Sequence, residues 1–110
     1  MIRFVRVVLA AGLVSILIGA GPVFSQDDLF GEDWPRTEGW EETGYLCSAC
    51  HSLALVKQQG LPRFRWDQLL DWMVEEQGMQ ELDAEERELI LDYLTRHFNP
   101  EQRQSKRGMP

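Results

Sequence analysis

Apolar and polar positions along this chain fall into three regimes, and each predicts something different. Residues 7–20 are an uncharged apolar run behind Arg3 and Arg6. Residues 26–36, "QDDLFGEDWPR", are acidic, carry Gly and Pro and keep no sustained period, which predicts an extended leader lying on the surface. From residue 37 the spacing becomes helical.

A first helix is expected from Thr37 through "EGWEETGYLCSACH", with Thr37 as its cap and Glu38, Glu41 and Glu42 near the positive end of its dipole. Gly39 and Gly44 weaken it, since glycine inside a helix costs ~1 kcal/mol relative to alanine. "SLALVKQQGLPRF" reads as a loop punctuated by Gly60 and Pro62. A second helix is expected over 64–76, where Trp66, Leu69, Leu70, Met73 and Val74 recur at intervals of three and four, and Gly78 stops it. The third is the clearest. Asp83 with Glu86 three residues on is a capping box, and Leu82, Leu89, Ile90, Tyr93, Leu94 and Phe98 mark a stripe to be buried. Asn99 and Pro100 end that helix, and 100–110 is polar, without period, and expected to be a disordered tail. No alternating stretch is long enough for a strand and no repeat is visible, so the fold class is all-α with about three helices.

The first regime changes the setting. Two arginines, an apolar run and small residues before Gln26 read as an export signal over 1–25, cleaved after Ser25 with Val23 and Ser25 at the recognised positions. The competing reading is an uncleaved anchor, because the run approaches the ~20 residues that span a bilayer. What remains is a leader over 26–36 and one small domain over 37–99, in the periplasm or anchored at its membrane. Domains of this size often draw stability from a cofactor, because their core is thin.

Of 11 Lys and Arg, two lie in residues 1–25, and none of the 18 Asp and Glu do, so the exported part carries a formal charge of −9. That excess repels nucleic acid and favours a partner with a basic docking surface, although it also simply keeps a small domain soluble. Membrane contact is expected only if the signal is retained.

The only two cysteines, Cys47 and Cys50, stand in "CSACH" with His51 directly after them. Covalent attachment of a haem needs two thiols close enough to add across both vinyl groups of one porphyrin, and an imidazole able to reach the iron; Cys-x-x-Cys-His meets both needs. A disulfide between positions three apart would staple very little. A thioredoxin-like pair needs strands to carry it, and a zinc site needs the usual four-ligand spacing; neither is present. One covalent haem c is therefore the expected cofactor, with His51 as its proximal ligand. On the far side, Met73, Met79, His97 and the tail's Met109 are the candidates, and thioether ligation raises the reduction potential where imidazole lowers it. Met73 lies seven residues after Trp66 on the same helical side, and Met79 lies in the turn after Gly78. An apolar pocket is expected from Trp40, Tyr45, Leu53, Trp66, Leu70, Ile90, Tyr93 and Leu94, with Trp66 and Tyr93 against the haem.

With these residues in view, 39–98 resembles small monohaem c-type cytochromes, and more narrowly the cytochrome subunit of periplasmic sulfite dehydrogenases. The likeness rests on "CSACHS", "VKQQGLPRFR", "WDQLLDWM", "ELDAEE" and "ILDYL". It implies a small cytochrome c-like domain wrapped around one haem, with Cys47 and Cys50 as thioether anchors, His51 as the proximal ligand and Met73 as the distal one. Met79 stands outside that pattern as the alternative. The resemblance further implies an electron carrier rather than an enzyme, accepting electrons from a molybdenum-dependent dehydrogenase and passing them to the respiratory chain. The rival is a five-coordinate haem enzyme or gas-binding module, which needs a polar distal group that the sequence offers only at His97, far down the last helix.

Overall fold

The computed structural model describes Gly21 and residues 29–108; the rest of the expected signal segment, the start of the leader and the tail's last two residues lie outside the described residues. The fold is all-α. Helices α1 (Trp40–Ser48), α2 (Ala54–Gln58), α3 (Arg63–Gln77), α4 (Ala84–His97) and α5 (Pro100–Arg107) follow one another, with no strand among the described residues. None of the described helices is long and apolar enough to cross a membrane.

Helix α4 is the spine, and its ends follow from local chemistry. Asp83 Oδ1 accepts the Glu86 N–H at 2.8 Å, as the capping box predicts. Glu85 and Glu86 occupy its first turn, and Arg96 and His97 its last, each where the helix dipole favours that charge. Both α1 and α3 pack on it. The start of α1 comes so close that a Cβ on Gly39 would lie 3.2 Å from Leu89 Cγ. Between α3 and α4, Arg87 binds Asp67 at 2.5 Å and Asp71 at 2.7 Å, while Arg63 pairs with Asp92 and, at 2.7 Å, with Glu88. These are partly exposed pairs, each adding at most ~1 kcal/mol, and they serve to fix register over a core that supplies most of the stability.

Three expectations are corrected. The described part of the leader, 29–36, is not all on the surface: Phe30 and Trp34 are 2% and 1% exposed, and they belong to the core with Leu70, Ile90, Tyr93, Leu94 and Phe98. Trp34 stacks on Phe98 at 5.2 Å, its indole N–H reaches the Trp40 carbonyl at 2.9 Å, and Tyr93 Oη donates to the Pro35 carbonyl at 2.9 Å. Two aromatics carry this strap, and the acids around them hide its apolar character. Second, 100–107 is helix, because the pair that ends α4 also starts α5: Asn99 Oδ1 accepts the Gln102 N–H at 3.0 Å and Pro100 opens the first turn. Third, the expected loop after His51 contains α2, whose Val56 is buried beside Leu53.

Helix α1 also begins later than expected. Its cap is Gly39, in the left-handed region at φ 83°, and Thr37 instead gives its carbonyl to the Trp40 N–H at 3.0 Å. Helix α3 ends at Gly78, φ 72°, as a left-handed glycine terminus.

Candidate functional site

The two thiols sit at the end of α1, on different footings. Cys47, in the last turn, packs against the core, and burial pushes its thiol up to about 12. Cys50, beyond the helix end, is exposed. Both are free. A buried thiol held that high is neutral and unreactive, which is the reverse of what a dithiol redox pair requires. Among the described residues no three His, Cys, Asp or Glu side chains converge as a metal-binding group, so the zinc alternative gains no donor set.

His51 is oriented by its neighbour. Its Nδ1 lies 3.0 Å from the Ser52 carbonyl, which can only accept, so in the neutral ring Nδ1 carries the proton and Nε2 keeps its lone pair. Carbonyl contact at one ring nitrogen is the arrangement that aims the other at a metal. Ser52 also fixes the turn into α2, where its Oγ accepts the Ala54 N–H at 3.2 Å. Sequence reasoning passed over Ser52, although a serine ahead of a short apolar segment is the residue type that opens a helix.

Two hollows meet at Ala49 and Cys50. One, of about 680 Å³ and open to solvent, is bordered by Cys50, His51, Ser52 and Lys57 and, on the strap's side, by Phe30, Gly31 and Asp33. The other, of about 490 Å³, is lined by Tyr45, Leu46, Cys50, Met79 and Gln80, with Glu42 and Glu86 at its polar positions. Both fall in the ~300–1,000 Å³ range of small-molecule and cofactor sites. The strap is held over the first hollow by Lys57, whose Nζ donates to the Phe30 carbonyl at 3.1 Å and to Asp33 Oδ1 at 2.5 Å. The Asp33 carboxyl is held below its usual range, chiefly by that bond.

The chain matches no family model, no curated protein and no solved structure.

The other expected site residues separate. Both methionines are half-buried against the core, but Met79 borders the second hollow beside Cys50 and Met73 lines neither hollow. Trp66 and Tyr93 are fully enclosed, Trp66 giving its indole N–H to the Phe98 carbonyl at 3.0 Å. Of the expected apolar lining, Leu53, Leu70, Ile90 and Leu94 are buried too, while Tyr45 is 46% exposed at the hollow's edge. His97 is committed elsewhere: its Nε2 is hydrogen-bonded to the Thr37 hydroxyl at 2.6 Å and its ring lies 4.8 Å from that of Tyr93. Burial first, and Arg96 second, hold it below the usual imidazole range. Met109 lies outside the described residues.

The donor types are those a covalently attached haem uses, although Cys47 and Met73 border neither hollow and His51 and Met79 border different ones. They comprise two unpaired thiols one helical turn apart, an imidazole with its lone pair on Nε2, and two thioethers at one end of α3, with open volume beside Cys50.

Proposed function

We propose that this chain is a periplasmic electron-transfer protein that holds one haem c through thioether bonds to Cys47 and Cys50, with His51 as its proximal ligand. The observation that carries the reading is the Cys-x-x-Cys-His motif with both thiols free and with His51 Nδ1 tied to the Ser52 carbonyl, which leaves the lone pair on Nε2 in the neutral ring. Bound, the haem supplies a one-electron Fe(III)/Fe(II) couple.

The chain's own residues supply the rest. Met73 is the distal ligand on the resemblance and on its seven-residue register with Trp66; Met79 is the alternative, supported by its place beside Cys50. With both axial positions filled, no substrate reaches the metal, and the fold acts as a carrier rather than an enzyme. Glu42 and Glu86 beside Cys50, within an exported domain of charge −9, suit a redox partner with a basic docking face. The resemblance points to a molybdenum-dependent dehydrogenase as that partner, and the expected export signal points to the periplasm as the compartment where they meet.

Expression with the haem-ligation machinery followed by pyridine haemochrome analysis tests the reading: one haem per chain supports it, and none ends it. Carbon monoxide then separates carrier from gas-binding module, since a closed site in the reduced protein resists it and an open one takes it up rapidly and stoichiometrically.

A further inference from the structure

Helix α3 turns Trp66 and Leu70 inward, where they are buried in the core as α3 packs on α4. Its opposite side carries Phe64, Gln68, Trp72 and Glu76 at intervals of four, all exposed, and such a row forms one ridge of a helix surface. Phe64 is 63% exposed and Trp72 50%. Aromatic side chains are what the core of an interface is enriched in, and here two share one outward ridge.

Charge sorts along the same face. Arg65 lies toward its N-terminal end and Asp71, Glu75 and Glu76 toward its C-terminal end, all exposed. Asp71 pairs with Arg87, but Arg65, Glu75 and Glu76 have no ion pair among the described residues. Arg65 instead donates to Gln68 Oε1 at 3.2 Å, which holds it beside the middle of the ridge. A uniformly basic partner would meet Arg65 with like charge. A face whose two ends differ in sign matches its own copy turned end for end.

We propose that this face of α3 is a homodimer interface, in which two copies cross antiparallel about a two-fold axis at Gln68. Phe64 and Trp72 each lie four residues from Gln68, about 6 Å along the helix, so the axis sets Phe64 of one protomer against the partner's Trp72, and the reverse. The same operation brings Arg65 opposite the partner's Asp71, with the partner's Glu75 one turn further on. At the centre Gln68 meets the partner's Gln68, and two amides can each donate and accept. Ridges spaced at i±4 interlock in the commonest class of helix crossing. One helix per protomer makes a small contact, and two exported parts of charge −9 repel at range, so the dimer is weak and reversible. Physiological salt, with a screening length of ~8 Å, removes most of that repulsion.

Sedimentation equilibrium of the mature polypeptide in physiological salt tests this, with a thiol reductant present so that the exposed Cys50 makes no disulfide between copies. The mass should climb from one chain toward two between roughly 10 µM and roughly 1 mM, as a small interface implies. Trp72→Ala and Phe64→Ala should each raise the midpoint concentration at least about fivefold, while thermal unfolding stays close to that of the unaltered protein. Arg65→Glu should also weaken association, and Arg65→Glu/Glu75→Arg should recover part of the loss. A one-chain mass throughout, a midpoint that neither aromatic substitution moves, or a charge reversal that recovers nothing overturns the proposal.

Discussion

His51 gives its Nδ1 proton to the carbonyl of Ser52, 3.0 Å away, and the same serine's hydroxyl accepts the Ala54 N–H at 3.2 Å. One residue therefore ties the orientation of the His51 imidazole to the start of α2. Ser52→Ala leaves the carbonyl in place and removes the hydroxyl. The expected loss is about 0.5–1 kcal/mol of stability, the net worth of one such bond at an exposed site, read from the urea midpoint. An unchanged midpoint would mean that the turn is held by Leu53 and Val56 alone.

The strap makes a larger demand. Trp34 is 1% exposed and touches Phe30, Tyr93 and Phe98. Trp34→Ala should cost about 3–5 kcal/mol, as expected for removing a fully buried aromatic, whereas Tyr45→Ala, at 46% exposure, should cost much less. Thermal unfolding of the two variants side by side checks the ranking. Equal effects would place the strap outside the core.

His97 predicts the pH dependence. Its folded-state pKa is depressed by burial and Arg96, while in the unfolded chain it titrates near ~6.5. Below that value the unfolded chain binds the extra proton first, so stability rises with pH through the window between the depressed folded value and ~6.5, and is flat above it as far as this group is concerned. The groups facing it are the Thr37 hydroxyl, the Tyr93 ring and the Arg96 guanidinium. His97→Gln should remove that part of the slope when urea midpoints are compared across mildly acidic pH; an unaltered slope would assign it to carboxylates.

Thiol reactivity reports on the site before any haem is attached. In the haem-free chain, Cys50 is exposed and Cys47 is half-buried against the core, with its thiol pushed up to about 12. Iodoacetamide at neutral pH should therefore label Cys50 at least about tenfold faster than Cys47, since only the thiolate reacts. Peptide mass spectrometry gives the ratio. Equal labelling would mean that α1 frays at Cys47 under native conditions.

Helices α3 and α4 were legible in the chain because their apolar residues recur with a helical period and because Asp83 and Glu86 mark a start. The strap was not, since Phe30 and Trp34 are isolated among Asp and Glu, and an aromatic pair four residues apart sets no period. Helix α5 was hidden by a signal with two meanings: Asn99-Pro100 closes one helix and caps the next. At the site, the motif residues could be named from spacing alone. The Ser52 contact could not, because it is a backbone carbonyl and has no side-chain signature, nor could the separation of Met73 from Met79, which depends on how one turn at Gly78 folds back.

The most direct measurement is the intact mass of the mature polypeptide produced in a host competent for haem ligation. The account predicts the polypeptide mass plus one covalently bound haem, with the addition lost in Cys47→Ser/Cys50→Ser. A mass equal to that of the amino acids alone would contradict it.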